Sequence, residues 1–269
     1  LQISFDGGAF EVGLLPTVAV VSPVRVRGVA SAAPTSVGMQ EIRVPLYRHA
    51  PKAALLITTF SSVGDGSLQN SKVFTASVTD GVSSVGIGAS SQDGVAASNT
   101  ARIGQAIAAI FTGSATGTTT GAAAFAAWIP GGIRLNWNLT PAVAWKVTAI
   151  FFFGDDAQAS VGIATPGATT DPDVDITTGF KPDALISLNA IDFFGATWSA
   201  NLGYNIGFAA RDASDDSIDQ LAVFYDAADA LNPTEPRSLQ INGGLASSLV
   251  TDTTTFRKTA IAAVAASGF

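Results

Sequence analysis

The chain has 269 residues, no cysteine and a net charge of −7, with only 13% charged residues and a mean hydropathy of +0.36. The missing thiols exclude disulfides and thiolate metal sites and suit folding in a reducing cytoplasm, while the acidic balance argues against nucleic-acid binding, which rests on neutralised phosphates. No apolar run approaches the roughly 18 to 20 residues needed to cross a bilayer, and so apolar and charge-poor a composition predicts that part of the surface meets another subunit.

The first basic residue is Arg25, so the opening lacks the charged start of a secretory signal. Residues 14–38 lengthen the first part of the chain, and 18–24 is too apolar to be left in water, which predicts an arm packed on another chain. Residues 82–89 and 202–209 alternate in period two, while 106–111 and 221–225 are short apolar runs of the kind buried between sheets. Short helices are expected within 99–111 and 216–230, next to those runs. Turns are marked by Asp6-Gly7-Gly8, Asp65-Gly66, Asp80-Gly81, Asp93-Gly94, Pro130-Gly131-Gly132 and Asn242-Gly243-Gly244, dipeptides that supply the positive φ a hairpin needs. The Gly/Thr/Ala-rich segment 113–127 reads as a surface loop, either flexible or ordered against a neighbouring subunit. The apolar run 150–153 closes a first unit before Gly154-Asp155-Asp156, and 261–265 closes a second. Frequent short strands with turn signals predict an all-β sandwich.

Six landmarks recur in one order. Val12-Gly13 returns as Val161-Gly162, Pro51-Lys52-Ala53 as Pro182-Asp183-Ala184, Ile87-Gly88 as Ile206-Gly207, and Gln105 as Gln220. Leu135-Asn136-Trp137-Asn138 returns as Leu239-Gln240-Ile241-Asn242, and Thr148-Ala149-Ile150 as Thr259-Ala260-Ile261, with separations drifting between 104 and 149 positions. Divergence concentrated in connecting loops gives such drift, and a duplicated unit of roughly 110 residues is the size of one small sandwich. The expectation is two tandem jelly-roll-like β-sandwich modules, residues 1–154 with an extended N-terminal arm and residues 155–269. Charge divides unevenly between them. Nine Lys/Arg face six Asp/Glu through residue 154 and five face fifteen beyond it, giving +3 and −10. One reading is a docking half facing an acidic scaffold and a solvated half kept outward; the other is drift between duplicates.

Chemistry is hard to find. The one histidine, His49, lies in the basic loop Arg48-His49-Ala50-Pro51-Lys52, where a solvated or structural role is favoured over a general base, and no Gly-x-Ser-x-Gly elbow occurs. Gly113 to Gly121 lacks the Lys-Ser/Thr of a phosphate loop, and Gly86-Ile87-Gly88 lacks its third glycine. Asp171, Asp173 and Asp175 have the spacing that opens an EF-hand, but Ile176 and Pro182 stand where glycine and a bidentate Glu are needed. Asp212, Asp215, Asp216 and Asp219 form a second cluster that a surface Ca²⁺ could occupy. A glycosidase would need two facing carboxylates, and few acids lie near aromatics, Asp192 and Asp226 among them. Trp128, Trp137, Trp145 and Trp198 could stack on sugar rings if exposed, but burial in the sandwich is the favoured fate. No catalytic, cofactor-binding or metal residue is assigned, and no enzyme or cofactor is expected.

The strings Phe180-Lys181-Pro182-Asp183-Ala184-Leu185-Ile186, Ile133-Arg134-Leu135-Asn136-Trp137, and Ile150-Phe151-Phe152-Phe153-Gly154-Asp155-Asp156 followed by Val161-Gly162 resemble a repeat of virion structural proteins of tailed bacteriophages. The first copy departs from the repeat at Arg48-His49-Ala50-Pro51-Lys52 and the second at Leu239-Gln240-Ile241. The resemblance implies a non-enzymatic virion component, a head-decoration or tail/fibre protein assembled in the host bacterial cytoplasm as a homo-oligomer with other virion proteins. The alternative is a receptor- or carbohydrate-binding module of a tail fibre, with a host surface glycan as partner.

Overall fold

The computed structural model describes residues 24–59, 72–106, 108–163, 177–189, 197–200, 202–212, 214–227, 230, 236–244, 246–251, 255–261 and 263. The first half forms β1 (Arg25–Ala32), β2 (Gly38–Arg43), β3 (Ala53–Thr59), β4 (Lys72–Thr79), β5 (Ser84–Gln92), β6 (Asn99–Gln105), β7 (Ile110–Gly113), β8 (Thr119–Ile129), β9 (Gly132–Leu139) and β10 (Lys146–Phe153). The second half forms β11 (Ala184–Asn189), β12 (Ser199–Ala200), β13 (Leu202–Arg211), β14 (Ile218–Ala227), β15 (Pro236–Asn242), β16 (Ala246–Thr251) and β17 (Thr255–Thr259). The protein is all-β, and its strands pair antiparallel in four sheets ordered β1-β10-β3-β4-β5-β6-β12, β2-β9-β8-β7, β11-β13-β14-β15 and β16-β17.

These sheets form layers. The β2-β9-β8-β7 sheet covers one face of the seven-stranded sheet around a core of Leu56, Ile110, Ile133, Leu135, Trp137 and Phe151. The other face meets the β11-β13-β14-β15 sheet, with Leu55, Ala76 and Ile87 against Ile186, Leu188, Tyr204 and Ile206. β16, paired with β17, lies against β13 and β14, on the sheet that buries Ala222, Phe224 and Ile241. The central position of the seven-stranded sheet explains the unbroken run Ile150-Phe151-Phe152-Phe153. Val147, Ala149, Phe151 and Phe153 point into the first sandwich, and Ile150 and Phe152 point to the second-half sheet. A strand covered on both faces has no solvent side to keep polar.

Local turn chemistry holds wherever it can be checked. Gly81, Gly94, Gly131 and Gly243 all have positive φ, and each stands between consecutive strands. Other expectations need correction. No helix occurs among the described residues. Residues 99–105 are β6, 110–113 are β7, and 218–227 are β14, because each run is held extended by antiparallel ladder partners whatever its helical propensity. The loop at 113–127 is mostly β8, whose alternate residues Gly121 and Ala123 are buried. Only 114–118 turns, closed by Ser114 N donating to the Thr118 carbonyl at 2.7 Å. Part of the arm belongs to the chain's own sheet, since β1 pairs with β10 from Arg25–Phe153 to Ala32–Lys146.

The two halves are joined through both ladder and packing. Ser199–Ala200 extends the first-half sheet by pairing with Arg102 and Ala101. Thr100 Oγ1 donates to the Ala227 carbonyl at 3.3 Å, and Ala230 N donates to the Ser98 carbonyl at 2.7 Å. Tyr204 stacks on Phe74 and lies 5.9 Å from Tyr225, centroid to centroid, in the layer between the sheets. Burial there, with Tyr225 beside it, raises the Tyr204 phenol above its ordinary value. The folded chain therefore holds this proton in a range where the unfolded chain releases it. Its contribution is complete below about pH 10 and declines as pH rises further. Urea unfolding between about pH 9 and pH 11 is expected to show falling stability, with a shallower fall in Tyr204→Phe; equal slopes would show that another group governs this range.

Among the repeated landmarks, Pro51 and Pro182 are both buried and each precedes an equivalent strand start, β3 and β11. The others fall out of step. Ile87-Gly88 lies on β5, third of the β3–β6 run, and Ile206-Gly207 on β13, second of its sheet. Leu135 to Asn138 lie on β9 of the covering sheet, whereas Leu239 to Asn242 lie on β15. Thr148 to Ile150 are inside β10, but β17 ends at Thr259, and Ile261 and Ala263 are outside any strand. Val12-Gly13 lies outside the described residues.

Candidate functional site

One end of the first sandwich gathers the loop 44–52, the turn 80–83, the turn 130–131 and the segment 154–163, where β2, β4, β8 and β10 finish and β3, β5 and β9 begin. The loops are tied to one another. Val44 N donates to the Gly131 carbonyl at 2.9 Å and Gly131 N to the His49 carbonyl at 2.8 Å. Asp80 anchors the hairpin tip, with Oδ1 accepting from Val82 N at 2.9 Å and Ser83 N at 2.7 Å. Its Oδ2 accepts from Val161 N at 2.8 Å, which fixes the segment leading to the second half. On this rigid base Leu46 is 100% exposed at φ 62° and Val82 is 95% exposed. A leucine in the left-handed region costs about 1 to 2 kcal/mol, and water gains nothing from its side chain. Arg48 and Lys52, in the same loop as Leu46, are also exposed. His49 faces Asp155, Nδ1 to Oδ1 3.5 Å, and its ring lies 5.9 Å from that of Tyr47.

The tryptophans belong to the interior. Trp137 and Trp145 are buried, and Trp128 and Trp198 are half-buried against the same core. Trp128 Nε1 donates to the Asp80 carbonyl at 3.4 Å and Trp198 Nε1 to Thr119 Oγ1 at 3.1 Å. The Trp198 indole lies over glycines; a Cβ on Gly113 would stand 2.5 Å from its Cζ2 and one on Gly88 2.9 Å from its Cη2.

The acidic cluster of the second half is organised by cations. Arg211 binds Asp183 through Nη2 and Asp216 through Nη1, the latter at 2.8 Å, and Lys181 Nζ lies 2.9 Å from both Asp216 oxygens. Lys181 and Arg211 hold the Asp216 carboxyl below its ordinary range. Asp212 is also lowered, by the hydroxyl and amide of Ser214, and Asp215 Oδ1 accepts from Ser217 N at 2.9 Å. Lys181-Pro182-Asp183 thus clasps the start of β11 to the β13–β14 turn. Among the described residues no group of three or more His, Asp or Glu side chains is arranged to hold a metal ion. Asp171, Asp173, Asp175 and Asp192 lie outside the described residues, and Asp226 sits on β14 opposite Gly203 and Arg237.

Comparison with protein-family models, curated proteins and solved structures finds no match. Sequence reasoning missed the work of two glutamines. Gln105 Oε1 accepts from Ala108 N at 2.8 Å while its Nε2 donates to the Ala108 carbonyl at 3.1 Å. Gln220 does the same to Ile261, at 2.8 and 3.0 Å. Each carboxamide replaces a ladder partner for a residue outside the strands; the recurrence of Gln in the sequence was the only sign of it.

Proposed function

We propose that the protein is a non-enzymatic structural component of a tailed-phage virion, acting by assembly of subunits. The observation that carries the reading is the fully exposed, positive-φ Leu46 and the exposed Val82, two large apolar side chains in hydrogen-bonded loops at the same end of the first sandwich. An apolar tip on a fixed base is suited to burial against another protein surface. The half-and-half charge division and the resemblance of Phe180-Lys181-Pro182-Asp183-Ala184-Leu185-Ile186 to phage virion repeats favour the same reading.

Common descent of the halves is part of this proposal and is supported by strand register. Laying Pro51 on Pro182 brings the cross-strand pair Leu55–Val78 onto Ile186–Phe208 and Thr58–Thr75 onto Asn189–Asn205. In both halves the run of paired strands is followed by a hairpin, β7–β8 and β16–β17. The glycan alternative needs exposed tryptophans to stack on sugar rings, and all four tryptophans pack on the core. The test is immunogold labelling of particles produced by the encoding genome with an antibody to this chain. Regular labelling of head or tail is expected; purified particles free of the chain would overturn the proposal.

A further inference from the structure

The β11-β13-β14-β15 sheet turns one face to the first sandwich through Ile186, Leu188, Tyr204 and Ile206. Strand alternation and register put Phe208, Leu221 and Val223 on that same face, Phe208 opposite Leu221 and Val223 opposite Ile206. Here the cover ends, for Phe208 is 42% and Val223 48% exposed. This apolar patch has an acidic border. Asp219, opposite Ala210, shares the face, and exposed Asp212 and Asp215 stand in the adjoining turn. The loop end of the first sandwich presents apolar Leu46 and Val82, with Arg48 and Lys52 exposed in its loop 44–52 and Asp155 and Asp156 exposed in its segment 154–163.

We propose that copies of this chain join head to tail, with Leu46 and Val82 of one copy seated on the Phe208–Leu221–Val223 surface of the next and Arg48 facing Asp219. This deepens the assembly reading above and rests on it. A second copy is the occupant because it supplies two features together: an apolar patch to cover Leu46 and, in exposed Asp219 at the border of that patch, a carboxylate to pair with exposed Arg48. The two surfaces are different patches of one molecule, so the contact is heterologous and generates a ring or an open row of subunits. Apolar contact supplies the affinity, and the opposed charges set the register and exclude the reversed pairing.

The test is sedimentation equilibrium of the full chain across a concentration series. Wild type is expected to self-associate, and more weakly at about 0.5 M salt, where screening cuts the charge term. Leu46→Asp and Val223→Asp are each expected to weaken association about tenfold or more. Both side chains reach solvent, so unchanged melting temperatures check that folding is intact. Arg48→Glu alone and Asp219→Arg alone should also lose association, and an equimolar mixture of the two should regain it, because each then meets an opposite charge. Recovery in the mixture supports the contact. Association of wild type that none of the four changes alters would overturn this contact and leave assembly through another surface standing. A wild-type chain monomeric throughout the series would overturn the contact outright, and particle labelling would then decide separately on the virion role.

Discussion

Trp198→Ala is expected to lower the stability of the chain by about 3 kcal/mol, the range for removing a large aromatic from a packed site. The side chain belongs by sequence to the second half and by packing to the first. Its indole fills the space over Gly88 and Gly113, donates to Thr119 Oγ1, and sits just before the strand Ser199–Ala200 that extends the first-half sheet. Loss of it empties part of that core and releases the tie between halves. A double-mutant cycle sharpens the prediction. Gly113→Ala alone drives a methyl against the indole, whereas in the Trp198→Ala background the same methyl has room. The two changes should therefore be non-additive by about 1 to 3 kcal/mol. Urea unfolding of the four proteins measures this, and additive costs would mean that the indole does not occupy the glycine slot.

Gly132→Ala is expected to be at least as damaging, costing about 3 kcal/mol or more through backbone strain in the first sandwich. A Cβ there would overlap the Ile42 carbonyl oxygen and come within 2.9 Å of Arg43 Cα, both backbone atoms of the partner strand. Neither can swing away as a side-chain tip would, so β2 must separate from β9 where Arg43 pairs with Gly132. Hydrogen exchange at the β2 amides should accelerate while the β11-β13-β14-β15 sheet stays protected. Gly94→Ala provides the contrast, since Gly94 has φ 75° and open space around it; only the left-handed penalty of about 1 to 2 kcal/mol should appear. Equal costs at the two positions would show that backbone proximity is not what requires glycine at 132.

Particular residues show where sequence reasoning reached and where it stopped. Asp80-Gly81, Asp93-Gly94, Pro130-Gly131-Gly132 and Asn242-Gly243-Gly244 were readable as turns because positive φ is a requirement local to one residue. Residues 99–111 and 216–230 were open to a helical reading because a short apolar run has no period of its own. Trp198 gave no sign of its destination. The candidate surfaces were least legible of all. Leu46 and Val82 are ordinary apolar letters until exposure distinguishes them from the buried Leu56 and Ile110.

The sequence by itself determined that the chain is built of strands and where many of its turns fall, since alternation and glycine conformation are properties of neighbouring residues. Only the tertiary structure decided which sheets cover one another, that β12 completes a sheet of the other half, and that Phe208 and Val223 lie past the edge of their cover. Those outcomes depend on contacts between segments far apart in the chain, and burial of a side chain is a property of what comes to lie over it.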